Sequence, residues 1–185
     1  MNILAIVGSP RVTGNTNYLV DQALEEASRL GANIEKIILS KKNLSPCFGH
    51  LNCGKFTECK RKDDGMSILQ KFAGADGLIL ASPVYYYDVS AWMKIFIDRN
   101  YFLYTHDTKC KARAVGIIVV AAGDGISGAV RTLKMLVEAS NMAVAQDKIF
   151  VVRGYADRPG EIRNNTRVVQ SARDLGKKLV DSLRK

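Results

Sequence analysis

The sequence has no apolar run approaching the ~18 residues that a membrane-crossing helix needs, which excludes a helical membrane protein. Residues 1–8 place no basic stretch ahead of their short apolar run. They do not read as an export signal, and the expected compartment is the cytoplasm. Proline is scarce, and no stretch is dominated by glycine, serine or charge of one sign, so nothing marks a linker or a repeat. The chain therefore reads as one domain over residues 1–185. Cysteine is limited to four thiols, which in a reducing compartment are metal ligands or redox groups rather than a disulfide frame. Acidic residues are the minority charge, 18 against 27 basic, for a net +9. The basic residues are scattered apart from two denser spots, Lys55 with Lys60 to Lys62 and Arg173 with Lys177, Lys178, Arg184 and Lys185. That distribution reads as solvated surface, so no nucleic-acid partner is expected.

What is present is a regular alternation of strand and helix patterns. Apolar runs at 3–7, 34–39, 77–81, 114–121 and 148–152 read as strands buried on both faces, the third ended by Ser82-Pro83. Between them lie helical patterns. The first is capped by Asn15 or Thr16, carries the stripe Val20, Ala23, Leu24, Ala27 and Leu30, and has Gly31 at its C′ position. Further helices are predicted at 66–72, 91–102, 126–141 and 160–183. The one at 91–102 is apolar nearly all round, as a helix packed partly against another subunit would be. Strands alternating with helices imply an α/β fold: a three-layer sandwich with a five-stranded parallel sheet. Right-handed crossovers then favour the flavodoxin-like strand order 2-1-3-4-5. One long irregular insert, at about 40–63, interrupts the alternation, and an insert of that length is usually functional.

In such a sheet, ligands bind where the loops leave the carboxyl ends of the strands. The first of these loops, Gly8-Ser9-Pro10-Arg11-Val12-Thr13-Gly14-Asn15-Thr16, is built for an anion. A helix N-terminus offers free N–H groups there, Gly8 and Gly14 permit close backbone approach, and Arg11 adds a charge-assisted contact. It lacks the Gly-Lys-Ser/Thr ending of a nucleotide triphosphate loop and contains no G-x-G-x-x-G fingerprint. The loop after the third strand carries Pro83, Val84, Tyr85, Tyr86 and Tyr87, flat apolar surface on a stiffened turn. The loop after the fourth strand carries Gly123 and Asp124, which would allow close backbone approach to a ring edge or form a simple turn.

Taken together, Gly8-Ser9-Pro10-Arg11 with Gly14-Asn15-Thr16, Ser82-Pro83-Val84-Tyr85, and Ser90-Ala91 through Lys94 to Phe96-Ile97-Asp98-Arg99 resemble the NADPH-dependent FMN reductase family, and within it the iron-sulfur flavoproteins. The resemblance implies an FMN-dependent oxidoreductase assembled as a homodimer or homotetramer, with NAD(P)H or ferredoxin as electron donor. Ser9, Arg11, Asn15 and Thr16 would hold the FMN phosphate, and Pro83, Val84, Tyr85 and Tyr86 would line the flavin. Tyr87, Gly14, Gly123 and Asp124 complete the candidate cofactor set. The same resemblance points to the insert, where iron-sulfur flavoproteins carry four closely spaced cysteines followed by an acidic pair. Here Cys47, His50, Cys53 and Cys59 precede Asp63-Asp64, with histidine in place of the second cysteine. Three states stay open: a [4Fe–4S] cluster, a zinc site and a metal-free loop. Without a cluster the chain reads as an NAD(P)H-dependent FMN or quinone reductase, and without steady turnover as a flavodoxin-like electron carrier. Cys110 reads as a buried structural thiol and His106 as plain surface.

Overall fold

The computed structural model describes residues 1–184. The first strand, β1 (Asn2–Val7), lies in the middle of the sheet, with β2 (Asn33–Ile38) and β3 (Gly77–Tyr85) paired to it in parallel on either side. Next to β3 come β5 (Ala114–Ala121) and then β6 (Ile149–Tyr155), both parallel. The order β2-β1-β3-β5-β6 is the anticipated one once a two-residue strand, β4 (Asp88–Val89), is set aside. That strand pairs antiparallel with the end of β3, an element the alternation pattern was too coarse to reveal.

Helices cover both faces. On one side α1 (Asn15–Arg29) and α6 (Thr166–Arg184) pack against Ile3, Ala5, Val7, Ile79, Ile118 and Val120. On the other, α2 (Gly65–Gly74), α3 (Ala91–Arg99), α4 (Tyr101–Thr105) and α5 (Ile126–Ala139) cover Leu4, Ile6, Leu78, Leu80, Val115 and Ile117. Successive strand residues thus enter opposite cores, which is why the strands read as continuous apolar runs. Among the described residues no helix is long and apolar enough to cross a membrane.

Four expected boundaries move, each for a local reason. The N-cap of α1 is Gly14, in extended conformation, and Asn15 and Thr16 already lie within the helix. β3 does not stop at Ser82-Pro83, because Ser82 and Pro83 still pair with Val119 and Val120 and the strand runs on to Tyr85. Pro83 is tolerated near the strand's end, where its missing N–H costs little. The helix expected over 91–102 divides at Asn100, whose side-chain amide donates to the Phe96 carbonyl at 2.8 Å and competes with the helical ladder. The last helix begins at Thr166, after a single 3₁₀ turn, Glu161–Asn164, that follows the positive-φ Gly160.

α1 and α6 cross closely because residue 176 has no side chain: a Cβ there would land on the Ala23 carbonyl oxygen. Gly176→Ala should therefore destabilise the fold by about 1–3 kcal/mol through overpacking, although helix propensity alone would favour alanine by about 1 kcal/mol. Urea unfolding monitored by circular dichroism measures the net sign, and a gain in stability would show that the helices part at no cost.

Candidate functional site

The carboxyl edge of the sheet gathers four loops. The first rises from β1 into α1. Its Arg11 carbonyl accepts hydrogen bonds from the Gly14 N–H at 2.9 Å, from Asn17 Nδ2 at 2.9 Å and, at 3.4 Å, from the Ser9 hydroxyl. These bonds lock the loop backbone while the Arg11 side chain stays exposed and without a carboxylate partner among the described residues. No side chain caps α1, so the donor groups of its first turn remain available to a ligand. Beside them a depression of about 260 Å³ is lined by Ser9, Arg11, Gly14, Asn15 and Thr16 on one side and by Pro83, Val84 and Tyr85 on the other.

Asn15 plays a different part from the one its sequence position suggests. Its amide donates to the Arg158 carbonyl at 2.9 Å, and its Oδ1 accepts from the Ile162 N–H at 3.3 Å. The side chain thus ties down the loop after β6, leaving the residue's place in the helix's first turn to face a ligand. That loop supplies a wall the sequence reading missed, Ala156, Asp157 and Pro159. The available signal was its Pro159-Gly160 turn following a strand. Asn17 was missed as well. It is fully buried, with Nδ2 holding the loop and Oδ1 without a partner among the described residues, an orphaned acceptor beside the loop.

The second loop is a hairpin. Val84 pairs with Val89 and Tyr85 with Asp88, and the turn residues Tyr86 and Tyr87 both have positive φ, 49° and 70°. A two-residue hairpin of this geometry normally recruits asparagine and glycine. Two tyrosines held there are strained, and such strain concentrates at ligand sites. The hairpin is pinned from below: a Cβ at Gly125 or at Gly128 would strike the backbone of Tyr87, and Thr132 Oγ1 donates to Asp88 Oδ2 at 3.0 Å. Tyr85, Tyr86 and Tyr87 therefore face outward, Tyr86 almost wholly exposed. A second depression, of about 240 Å³, is lined by Val84, Tyr86, Tyr87 and residues 121–124, including Gly123 and Asp124. Val84 and Ala122 border both depressions, which makes them neighbours along one edge. Among the described residues nothing lies within 4 Å of a Cβ built at Gly123, so the space beside it is open. A phosphate-sized donor cradle next to a shallow, tyrosine-flanked, glycine-floored shelf fits FMN.

The cysteine insert lies at the other end of α3. Its neck is closed: the Ser45 N–H donates to Asp63 Oδ2, the Asp64 N–H to the Asn43 carbonyl, and Arg61 Nε to the Pro46 carbonyl, all at 2.8–3.0 Å. Arg99 from α3 enters this neck fully buried, bonded to both Asp63 oxygens at 2.7 and 3.0 Å, to the Ser45 carbonyl at 3.0 Å and to Cys59 Sγ at 3.4 Å. Burial opposes the charge on Asp63, but the guanidinium and the Ser45 and Gly65 N–H groups outweigh it and hold the carboxyl below its ordinary value. Gly65 is required here, because a Cβ would overlap the guanidinium.

The four expected metal ligands share this loop, but the structure does not bring them together. Among the described residues no three His, Cys, Asp or Glu side chains form a metal-holding group. The His50 ring lies edge-on between Phe48 and Phe56, Cys47 Sγ accepts from the Gly49 N–H, and Cys59 rests on Arg99. Three thiols and an imidazole suit a cluster or zinc by chemistry, but this arrangement fits neither. His106 is a further correction. It is half-buried, stacks on Phe102, and spans the Phe102 and Phe56 carbonyls at 2.7 and 2.8 Å, so it fastens α4 to the insert. Cys110 is buried as expected, and burial pushes its thiol up to about 11.

A family model for NADPH-dependent FMN reductases matches residues 1–157. The chain belongs to the NADPH-dependent FMN reductase family. It is 33% identical to an iron-sulfur flavoprotein of Methanocaldococcus jannaschii, over 98% of this chain and 96% of that one. It is 29% identical to an iron-sulfur flavoprotein of Methanosarcina thermophila, over 99% and 95%. Among solved structures it resembles an NAD(P)H:quinone oxidoreductase from Methanothermobacter marburgensis with a TM-score of 0.72 at 16% identity, covering 96% of this chain and 98% of that one. An FMN-dependent NADH-azoreductase from Bacillus anthracis, in complex with FMN, gives 0.73 at 15% identity, covering 97% and 100%. At those identities the structures establish the flavodoxin-like fold, and the family establishes an FMN-dependent oxidoreductase.

The buried pair supplies a pH prediction. Asp63→Asn should cost about 3–5 kcal/mol at pH 7, because it strands the Arg99 charge. The wild-type carboxyl contributes its stability above the ordinary carboxylate range and loses it as pH falls through its lowered value, so the gap between the two proteins should narrow below about pH 4. Denaturant titrations at pH 7 and pH 3.5 check both parts, and a gap independent of pH would show that the pair is not ionised in the fold.

Proposed function

We propose that this protein holds FMN at the carboxyl edge of its sheet and passes electrons from a nicotinamide donor through it to an acceptor. The observation that carries this reading is the uncapped N-terminus of α1, beside a locked loop and an unpaired Arg11. Ser9, Arg11, Gly14 and Thr16, with the first-turn backbone of Asn15, would hold the phosphate. Pro83, Val84, Tyr85, Tyr86 and Tyr87 would flank the ring, with Gly123 and Asp124 at its edge. Bound FMN supplies the redox chemistry, taking up two electrons as hydride or electrons one at a time. The chain's own residues bind and orient the ring, and hydride transfer to it needs no side chain as proton donor or acceptor. Turnover with NAD(P)H separates this reading from a flavodoxin-like carrier that is reduced once and waits for a partner.

The iron-sulfur flavoprotein reading adds a [4Fe–4S] cluster on Cys47, His50, Cys53 and Cys59, with ferredoxin as a second donor. Its support is the full-length likeness to relatives of that name and the ligand spacing within one closed-neck loop. It requires the loop to close on those four side chains. Their separation here, with His50 packed between two phenylalanines, favours the second reading, an NAD(P)H-dependent FMN or quinone reductase without a cluster. The assembly is proposed as a homodimer or homotetramer of cytoplasmic, single-domain chains. A hollow of about 810 Å³ between α3, α4 and α5, rimmed by the stacked Tyr101 and Tyr104 and the exposed Met135, is where a second copy would seat.

A visible spectrum of protein purified without air, with iron and acid-labile sulfide assayed on the same sample, separates these readings. Flavin bands with iron and sulfide support the cluster, and flavin bands alone support the reductase. A colourless protein that refuses added FMN overturns both. Arg11→Ala should leave the fold intact and cost about 1.5–3 kcal/mol of phosphate binding, so the FMN dissociation constant should rise about ten- to hundredfold. Fluorescence titration of the apoprotein measures it, and an unchanged constant would remove Arg11 from the site.

A further inference from the structure

We propose that the tip of the cysteine insert, an exposed leucine and phenylalanine within a collar of basic side chains, docks on the surface of an anionic phospholipid bilayer. None of these residues belongs to the FMN site.

Charge is concentrated in the insert. Residues 41–62 carry six basic side chains, Lys41, Lys42, Lys55, Lys60, Arg61 and Lys62, against one acid, Glu58. Their net +5 is more than half of the chain's +9. Among the described residues none of the six pairs with a carboxylate, whereas Lys36, Lys71 and Lys94 each do. The two acids at the neck are already engaged: Asp63 holds Arg99, and Asp64 Oδ2 accepts from the Asn43 N–H at 2.9 Å.

Beyond this collar the tip is apolar. The chain turns at Gly49, φ 67°, and presents Leu51 97% exposed, with Phe48 58% exposed beside it in sequence. The rings of Phe48, His50 and Phe56 meet edge to face, with centroids 5.5 and 5.4 Å apart. Arg61 lies over the Phe48 ring at 3.6 Å and Lys60 over the Phe56 ring at 4.7 Å, so two of the cations are held by the aromatic ladder that frames the tip. The ladder is anchored below. His106 Nε2 meets the Phe56 carbonyl at 2.8 Å, and Gly54 lies so close to α4 that a Cβ would sit 2.9 Å from the Thr105 carbonyl oxygen. The surface is therefore ordered before it binds, which lowers the entropy lost on docking.

The combination selects the partner. Leu51 makes almost no contact with its own chain, and the charge around it is of one sign. A bilayer surface accommodates both: the apolar side chains enter the boundary between headgroups and acyl chains, and the lysines stay at headgroup level, drawn by anionic lipid. A cluster of six cations is of the size that such surfaces attract. Nucleic acid would stack bases on free ring faces, but these rings pack on one another and beneath the cations. A stable protein pair buries about 800 Å² on each side, more than two exposed apolar side chains supply, and like charge keeps the insert of a second copy away. Docking of this kind needs no membrane-crossing helix, and none occurs among the described residues.

Co-sedimentation of the full chain with vesicles tests the proposal. One set is phosphatidylcholine alone, and the other is three parts phosphatidylcholine to one part phosphatidylglycerol. Binding to the mixed vesicles should be at least about tenfold stronger and should weaken as salt is added. Leu51→Ser should reduce it about tenfold, and Lys60→Gln/Lys62→Gln about ten- to thirtyfold, with circular dichroism unchanged in both. Equal binding to the two vesicles, binding to neither, or undiminished binding in either variant overturns the proposal. If Leu51→Ser instead alters the oligomeric state on size-exclusion chromatography and leaves vesicle binding intact, the tip is a contact between copies and the proposal fails. It fails equally if the lysine variant loses only its reactivity with an acidic electron-carrier protein.

Discussion

The Ser90 hydroxyl, fully buried, fastens the junction from which the first loop, the tyrosine hairpin and α3 leave the sheet. It donates to the Gly8 carbonyl at 2.7 Å, and the Ser90 N–H donates to Ser82 Oγ at 3.0 Å, so the ends of β1 and β3 and the start of α3 are fastened at one buried point. The same oxygen caps α3 by accepting from the Met93 N–H. Gly8 must lack a side chain for this, since a Cβ would sit 2.8 Å from both Ser90 Oγ and Met93 Cβ. The proposed phosphate cradle and the tyrosine hairpin both hang from that junction. At its far end α3 presents Arg99 to Asp63, so one nine-residue helix links the flavin edge to the neck of the cysteine insert.

The two ends differ in kind. At the flavin edge polar groups are deliberately left over: the first turn of α1, the Arg11 guanidinium, Asn17 Oδ1 and the space above Gly123. At the neck every strong group is matched, with Arg99 serving two carboxylate oxygens, a carbonyl and a thiol. A buried ion pair is weak evidence of stability in itself, because desolvation offsets much of its attraction. Its effect here is positional: it fixes where the insert leaves the core, with Arg99 reaching Ser45 and Asp63 at the roots and Cys59 within the loop.

Much of this was legible in the sequence because it depends on local pattern. Continuous apolar runs of strand length betray a sheet covered on both faces, and the residue types of Gly8 to Thr16 single out the loop we propose as an anion cradle. What stayed hidden depends on contacts distant in sequence. The Tyr86-Tyr87 turn carries none of the usual hairpin residues, and its positive φ values are sustained by Gly125 and Gly128, some forty residues on. Asn15 reads as a cap but serves the loop at Arg158. His106 reads as surface because its two carbonyl partners lie in α4 and in the insert. The spacing of Cys47, His50, Cys53 and Cys59 describes a donor set, and only the fold shows that the described residues gather no three of them and that the imidazole packs on Phe48 and Phe56.

In the function proposed for this protein, the loop from Gly8 to Thr16 grips the phosphate of FMN. The measurement that tests it most directly is a parallel fluorescence titration of the apoprotein with FMN and with riboflavin, which share the ring and differ in the phosphate. Quenching at one FMN per chain, with riboflavin bound at least tenfold more weakly, about 1.4 kcal/mol or more, is the predicted result. Equal affinity for the two flavins would show that the ring is held without any grip on the phosphate, and the loop would lose its proposed role.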